Sequence, residues 1–286
     1  CTALESVSLP STLKALGDAA FSGCTALKSV NFTKNSVIET LGLETFRNCS
    51  SLESITLPAS LTAIPGSENS GAGFFAGCTS LRSVIFEEGS KLTEIGAHAF
   101  ENVKIESIAL PGSLSTIGDE AFYGTDLVTI TLPNTVTSLG VSAFNGCSKL
   151  TSVTLGSGIR ELPMLVFAGC ESLTSFTVPA SLTTVSDTAF AYCDNLEFLY
   201  VDPDNESMHE KYGVIFDADW NIVIFPATKH DLTIPKDTKT IPEHFFEDYE
   251  ITSVTVEDGN TAFVAAANVL YNAAMDEILF IPDGLT

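Results

Sequence analysis

Residues 150–172, LTSVTLGSGIRELPMLVFAGCES, and residues 173–195, LTSFTVPASLTTVSDTAFAYCDN, are adjacent segments of 23 residues whose apolar positions coincide almost throughout. Related segments return along the chain, and each opens on a Leu or an Ile. These opening residues are Leu4, Leu27, Leu52, Leu81, Ile105, Leu127, Leu150, Leu173 and Leu196. The spacings between them are 23, 25, 29, 24, 22, 23, 23 and 23 residues. Such a period predicts a solenoid, in which each unit buries its apolar face against the next unit.

Each unit begins with a stretch such as TSVTLP, in which apolar and hydroxyl side chains alternate. Alternation places the apolar side chains on one face of a strand and the hydroxyls on the other, so the stacked units predict a parallel sheet. The predicted inward column is Val7, Val30, Ile55, Val84, Ile108, Ile130, Val153, Phe176, Leu199, Leu232 and Val254. Later in the unit, DEAFYG at residues 119–124 is predicted to form a short helical turn with Asp119 as its cap.

A Cys follows a Phe by three positions in six units, and it could be a nucleophile, a metal ligand, half of a disulfide or a piece of the core. Val103 and Thr125 replace the Cys in two further units and are unsuited to metal binding or nucleophilic attack. The position is therefore predicted to hold a small buried side chain. A disulfide remains an alternative within the consecutive run Cys147, Cys170 and Cys193. Cys1 is expected to be exposed and reactive.

The pattern LTSVTLPxSLTxIGxxAFxGCxx resembles the BspA-like, or treponemal-type, leucine-rich repeat of surface proteins from host-associated bacteria. The resemblance implies an α/β solenoid. In this fold, a right-handed superhelix carries a parallel sheet on its concave side and short helices or strands on its convex side. It also implies secretion or surface display, and adhesion to host proteins or to other cells.

The regular pattern is lost after Leu196. We therefore predict regular repeats of about 23 residues over residues 1–195, and atypical repeats of the same solenoid over residues 196–286. In residues 200–226, GVIF and IVIFP flank DADWN and predict a β-hairpin. A second hairpin is predicted in residues 256–284, and the family resemblance implies such insertions. Residues 232–250 between them are predicted to be a worn repeat, with Phe246 and Tyr249 in place of Phe and Cys.

The chain is strongly acidic, with 13 Lys and Arg residues against 36 Asp and Glu residues and a net charge of −23. This charge repels phosphate backbones and anionic bilayers, which argues against a nucleic-acid partner. It is also expected to keep the chain soluble and monomeric. No apolar run approaches the ~18 residues that a membrane helix needs. Because the chain opens and closes within repeats, we expect it to be a fragment of a longer protein.

No catalytic motif is present, and we predict no catalytic residue, no cofactor and no metal site. The scattered histidines are interpreted as solvated or capping groups, since none has ligand spacing with a Cys or carboxylate that suggests a site. They are His98, His209, His230 and His244. Asp217, Asp219 and Asn221 match the first ligand positions of a calcium loop, but Ile222 and Thr228 stand where Gly and Glu are required. A plain hairpin turn is the favoured interpretation.

The outward face of the sheet is the remaining candidate for a site. Its hydroxyls either keep the sheet hydrated or form a shallow binding strip. In the second case, Phe198 and Tyr200 would be the aromatic anchors for a ligand. The candidate ligand-binding residues are Ser152, Thr154, Ser175, Thr177, Phe198 and Tyr200. PGSENSGAG at residues 65–73 lengthens one unit and is predicted to project as a mobile loop, either a contact point or a tolerated insertion.

Three functions follow as hypotheses. The first is a non-enzymatic, secreted or surface-displayed binding protein that presents its concave sheet to a host or bacterial protein or glycan. The second is a structural spacer within a larger surface protein. The third is a hydrolase with its site in the hairpin region.

Overall fold

The computed structural model describes residues 1–242 and 245–282. They form two compact units: unit 1 is Cys1–Leu173 with Ser186–Cys193, and unit 2 is Thr174–Val185 with Asp194–Thr286. Both units consist mainly of short β-strands, and the described residues contain one helix of 4 residues. The chain is therefore a β-solenoid, and the helical contribution expected for an α/β solenoid is wrong. The right hand, the concave position of the sheet and the boundary at residue 195 stay predictions.

The strands of unit 1 are β1 Ser6–Leu9, β2 Ser29–Phe32, β3 Ser54–Leu57, β4 Ala63–Ile64, β5 Ser83–Phe86, β6 Glu94–Ile95, β7 Thr116–Ile117, β8 Thr129–Thr131, β9 Ser138–Leu139, β10 Ser152–Thr154 and β11 Glu161–Leu162. The elements of unit 2 are β12 Ser175–Val178, β13 Thr184–Val185, β14 Phe198–Val201, β15 Met208–Lys211, β16 Val214–Asp217, β17 Ile222–Ile224, β18 Asp231–Ile234, α1 Phe245–Asp248, β19 Ser253–Val256, β20 Phe263–Ala266, β21 Val269–Asn272 and β22 Ile278–Phe280.

The predicted strands pair in parallel and in register, so that each residue lies over its repeat equivalent. Val7 pairs with Val30, and Ile55 pairs with Val84. These side chains are buried or half-buried, whereas the hydroxyl positions beside them are mostly exposed. The inward column is therefore confirmed. A second parallel ladder joins β4, β6, β7 and β9 on another side of the turns.

The segment around each Phe of the repeat is a pair of tight turns and not the predicted helical turn. In residues 119–124, Glu120 has a φ of +52° and Gly124 a φ of +64°, whereas a right-handed helix needs a φ of about −63° throughout. The residues two positions before and two positions after the Phe also have positive φ values around Phe21, Phe46, Phe100, Phe144 and Phe167.

These left-handed residues direct alternate N–H groups toward the next turn of the solenoid. The N–H of Phe122 donates to the carbonyl of Ala143 at 2.8 Å, and the N–H of Gly124 donates to that of Asn145 at 2.8 Å. Asp119 does not cap a helix, because its Oδ1 accepts the N–H of Val141 in the next turn at 2.8 Å. The segment thus bonds turn to turn, where a helix would bond only within itself.

The Phe side chains of unit 1 form one continuous stack. Consecutive ring centroids lie 5.1–5.9 Å apart and the ring planes are within 24° of parallel. The stacked residues are Phe21, Phe46, Phe75, Phe100, Phe122, Phe144, Phe167 and Phe190. The separation follows the spacing of neighbouring strands, about 4.8 Å, with an offset that suits aromatic rings.

The Cys side chains lie beside this stack, and the core interpretation of the position is confirmed. The Sγ of Cys78 donates to the carbonyl of Phe46 in the preceding turn at 3.0 Å, and Cys193 donates to Phe167 at 3.1 Å. Burial raises the pKa of Cys147 to about 11, which keeps this thiol protonated and poorly nucleophilic. Cys1 is exposed, as predicted.

Unit 2 departs from the repeat through two antiparallel meanders of three strands each. The predicted hairpins are present as β16–β17 and β21–β22, but each has an additional first strand, β15 or β20. The strand β15 was missed because its sequence, MHEK, is mostly polar. In the worn repeat between the meanders, Phe245 is the fully buried ring, and Phe246 instead stacks on Phe280 at 4.1 Å. Phe246 and Tyr249, the residues predicted at the Phe and Cys positions, are partly buried and pack against the core cluster that contains Phe245.

One Asn fastens each meander to the turn before it: Asn205, which is buried, and Asn260, which is half-buried. The Nδ2 of Asn205 donates to the carbonyls of Pro179 at 2.7 Å and Leu182 at 2.9 Å. Its Oδ1 accepts the N–H groups of Ser207 and Met208, both at 2.8 Å. Asn260 makes the equivalent four hydrogen bonds ahead of β20. One amide therefore satisfies four backbone groups where the regular turn gives way to the meander.

We expect Phe122→Ala to lower the free energy of unfolding by about 3–5 kcal/mol, because it leaves a cavity and interrupts the ring stack. Denaturant unfolding followed by circular dichroism would measure the change. Tyr192→Ala is the control, since this ring is 77% exposed and its removal should matter by less than about 0.5 kcal/mol. Equal effects of the two substitutions would contradict a stabilising role for the stack.

We expect Asn205→Ala to destabilise unit 2 by at least about 2 kcal/mol, because it leaves four backbone groups without their partner. The chain has a single Trp, Trp220 of unit 2, so its fluorescence reports this transition. Asn134→Ala in unit 1 is the control, followed by circular dichroism: its Oδ1 accepts one exposed hydrogen bond, from Ser157 at 3.0 Å, and its loss should cost less than about 1 kcal/mol. A smaller loss at Asn205 than at Asn134 would refute the fastening role.

Candidate binding surface of unit 2

The candidate surface consists of the outward side chains of β12 and β14, two parallel strands of unit 2. Ser175 pairs with Phe198 and Thr177 pairs with Tyr200, so the two aromatic rings lie next to the two hydroxyls. The intervening Leu199 points inward and is buried. Phe198 is 49% exposed and Tyr200 is 54% exposed. The alternation of the strand thus holds two large rings in solvent on a rigid ladder.

The other two candidate residues lie in unit 1. Ser152 and Thr154 are exposed on β10, where they pair with Thr129 and Thr131 of β8. The structure therefore brings four of the six candidates together on unit 2. The grouping of all six on one surface stays a prediction.

A shallow open depression of about 350 Å³ lies beside Tyr200. Tyr200 and Met208 contribute apolar surface to its lining, and Asp202, His209 and Glu210 contribute titratable groups. His209 and Glu210 belong to β15, the strand that was not predicted. The depression offers aromatic, carboxylate and imidazole groups to a ligand, but its openness leaves the bound group in contact with water.

The turn at Asp217 has the geometry of a hairpin turn. The Oδ1 of Asp217 accepts the N–H groups of Asp219 and Asn221, both at 2.9 Å. Its Oδ2 accepts the side-chain amide of Asn221 at 2.9 Å. The carboxylate is thus engaged by the turn itself, in agreement with the favoured interpretation over a calcium loop.

A model of the BspA type leucine-rich repeat region matches this chain in 6 copies, over residues 1–89 and 68–197. The chain belongs to the BspA-type leucine-rich repeat family. The resemblance seen in the repeat pattern is therefore confirmed. A search of curated protein sequences finds no significant match.

Solved structures support the BspA-type fold. The pneumococcal vaccine antigen PcpA is 20% identical with a TM-score of 0.52, and the match covers 89% of this chain and 55% of that chain. A leucine-rich repeat protein from Bacteroides ovatus is 24% identical with a TM-score of 0.54, and the match covers 89% of this chain and 58% of that chain. The BspA-type chain thus spans between half and two thirds of the length of these two proteins. Neither the family nor these structures indicates a catalytic activity.

Within the described ranges, 1–242 and 245–282, no helix is long and apolar enough to cross a membrane.

The structure changes the interpretation of the histidines of this BspA-type chain. His98 is buried, and its Nδ1 lies 3.1 Å from Glu101 Oε2 and 3.5 Å from Glu120 Oε2. The interpretation of His98 as a solvated or capping group is therefore wrong. The signal was present in the sequence, because His98 and Glu120 occupy the same position of successive repeats. His230 is exposed, in agreement with the interpretation as a solvated group, and its Nδ1 lies 2.8 Å from the carbonyl oxygen of Glu250. His244 lies outside the described residues.

Glu257, which directly follows β19, is the centre of a polar cluster that joins the first meander to the parallel pair β18 and β19. Its Oε1 lies 2.6 Å from the Nζ of Lys211 and accepts the phenol of Tyr212, while its Oε2 accepts the N–H of Lys236 at 2.8 Å. The hydrogen bond from Lys211 is the main reason that the pKa of Glu257 falls to about 2. The Nζ of Lys211 also lies 5.6 Å from the ring centroid of Trp220, so the cluster also contacts the Trp side chain of the first meander.

We expect Glu257 to stabilise the fold above its ordinary pKa of 4.5, and this contribution to be lost as the pH falls toward about 2. The sign follows because folding lowers the carboxyl pKa, so protonation favours the unfolded chain. The measurement is the difference in unfolding free energy between the wild type and Glu257→Gln across this range, followed by Trp220 fluorescence. Tyr212→Phe keeps the Lys211 contact and should give a smaller difference. A difference that does not change with pH would contradict the assignment.

Proposed function

We propose that this chain is a non-enzymatic binding module of a secreted or surface-displayed bacterial protein, and that Phe198 and Tyr200 anchor a protein or glycan partner. The observation that carries the proposal is the exposure of two adjacent aromatic rings on a strand ladder whose other outward side chains are mostly hydroxyls. Membership of the BspA-type family supports the placement at the bacterial surface.

Physical chemistry supports the aromatic pair as the anchor. Large rings held in water are costly unless a partner covers them, and Tyr is among the residues that contribute most to binding energy at interfaces. The ladder of β12 and β14 fixes both rings before binding, which reduces the entropy lost on association. Ser175 and Thr177 lie beside the rings and can donate and accept hydrogen bonds.

The charge of the region selects among partners. Asp202 and Glu210 line the depression beside Tyr200, and the chain as a whole carries a net charge of −23. A neutral or basic ligand surface fits this site, and an acidic one would be repelled. Nucleic acid is therefore not part of the proposal, and the chain is proposed to act as a monomer.

The spacer function is the second candidate, and the architecture of unit 1 favours it. The Phe stack and the hydrogen bonds from turn to turn run through the unit and resist bending at any one repeat. Such a unit could hold other parts of a longer protein away from the cell wall without binding anything itself.

We expect Tyr200→Ala to weaken the affinity for a partner about thirtyfold, because loss of one interface anchor typically costs about 2 kcal/mol of binding free energy. Phe198→Ala should act in the same direction. Matrix-protein and glycan arrays at low and high salt would first identify a salt-resistant partner, and titration would then give affinities. Tyr192→Ala, which removes an exposed ring from unit 1, is the control and should leave the affinity unchanged.

Two outcomes would count against the binding surface. Unchanged affinity in both Tyr200→Ala and Phe198→Ala would move the site elsewhere on the chain. No partner on any array would favour the spacer function.

A further inference from the structure

His98, Glu101 and Glu120 form a compact cluster in unit 1, remote in sequence from the aromatic pair. One imidazole nitrogen and one oxygen from each carboxylate all lie within 4.8 Å of one another. His98 is 8% exposed and Glu101 is 6% exposed, whereas the Glu120 side chain is 36% exposed. The cluster is thus buried on two sides and open to solvent on the third.

The repeat itself creates the cluster. His98 and Glu120 each precede a stacked Phe by two residues and have φ values of +58° and +52°. Their side chains therefore leave the backbone at the same repeat position, one turn apart. Glu101, three residues after His98, returns to the imidazole from the other side of the same tight turn.

One buried nitrogen of the His98 imidazole, Nδ1, makes no hydrogen bond. Its Nδ1 has no partner with hydrogen-bond geometry, although the two carboxylates lie within ion-pair distance. A buried nitrogen without a partner is costly in a folded protein. Its direction toward two carboxylates is an arrangement that a bound cation would satisfy.

The distances match those between ligands of one metal ion. Ligands bound at about 2.0–2.2 Å in a tetrahedral site lie about 3.3–3.6 Å apart. The separation of 3.5 Å from Nδ1 to Glu120 lies within this range, and that of 3.1 Å to Glu101 is slightly shorter. The imidazole nitrogen is thus nearly as far from each carboxylate as two ligands of one ion are from each other.

The inserted loop at residues 65–73 orients the buried carboxylate. The hydroxyl of Ser70 donates to Glu101 Oε1 at 2.7 Å, and the N–H of Gly71 donates to Glu101 Oε2 at 2.8 Å. Such contacts to a ligating carboxylate fix its direction and strengthen a metal site. The insertion predicted to be mobile is therefore tied to the next turn by Glu101.

We propose that His98, Glu101 and Glu120 bind a divalent transition-metal ion of the zinc type. One neutral imidazole and two carboxylates form a mixed nitrogen and oxygen ligand set, which suits Zn²⁺ better than Ca²⁺ or Mg²⁺. The exposed side of Glu120 leaves a fourth position for water. The ion would cross-link two turns of the solenoid and, through Glu101, the inserted loop.

The test is zinc titration by calorimetry of the metal-stripped chain in a non-chelating buffer. All samples carry Cys1→Ser, because the exposed Cys1 thiol and its amino group could chelate zinc independently. We expect about one bound Zn²⁺ per chain, a raised unfolding temperature on loading, and a Co²⁺ visible spectrum of a tetrahedral site with nitrogen and oxygen ligands.

Variants separate the cluster from general binding to an acidic surface. Glu120→Gln should weaken zinc binding at least tenfold, and His98→Asn, which tolerates a positive φ, should do so as well. Glu44→Gln is the matched control. Glu44 also stands two residues before a stacked Phe, has a φ of +54° and is 33% exposed at its side chain, but it pairs with Arg47. Its zinc affinity should remain within twofold of the parent.

Three results would overturn the proposal. The first is no zinc binding by the parent chain. The second is equal binding by Glu120→Gln and the parent. The third is an equal loss in Glu44→Gln and Glu120→Gln, which would indicate diffuse attraction to the net negative charge. In each case the cluster would be a contact between His98 and its two carboxylates without a bound ion.

Discussion

Hydrogen bonds from turn to turn are the constraint on which this structure depends. The described part of the chain has almost no helix, so most backbone groups cannot be satisfied within their own segment and must find partners in the neighbouring turn. Parallel strands do this on two sides of unit 1, and the tight turns around each Phe do it on a third side. Equivalent residues are thereby placed over one another at strand spacing. The stack of Phe rings is a direct result of this register.

The same register explains why the repeat tolerates some replacements and not others. The position three residues after the stacked Phe must be small and buried, and Cys, Val103 or Thr125 all satisfy this requirement. The thiol of Cys147 donates to the Phe122 carbonyl of the preceding turn and has little reactivity, because burial raises its pKa to about 11. The left-handed position held by Gly124 favours Gly, which has no Cβ, but Asn102 and Tyr192 hold it in other turns with φ values of +57° and +58°.

Interruptions of the repeat are where the chemistry of this protein is concentrated. Phe198 and Tyr200 replace hydroxyl positions, and Asn205 then fastens a meander onto the preceding turn. In unit 1, His98 and Glu120 stand at one repeat position, and the inserted loop supplies the groups that hold Glu101. A repeat fold makes such sites simply, because two unusual side chains at equivalent positions of neighbouring turns must lie close together.

The sequence by itself determined the period, the strands, the inward column, the buried Cys position and the exposure of Phe198 and Tyr200. These follow from alternation and from spacing, which act along the chain and are visible in its letters. Tertiary structure alone decided the backbone around each Phe, because a spacing of three residues suits both a helix and two left-handed turns. It also decided the first strand of each meander and the side-chain contacts of His98 with Glu101 and Glu120, although the repeat alignment already places His98 and Glu120 in neighbouring turns. Those features depend on which groups a neighbouring turn presents, and only the folded register brings the turns together.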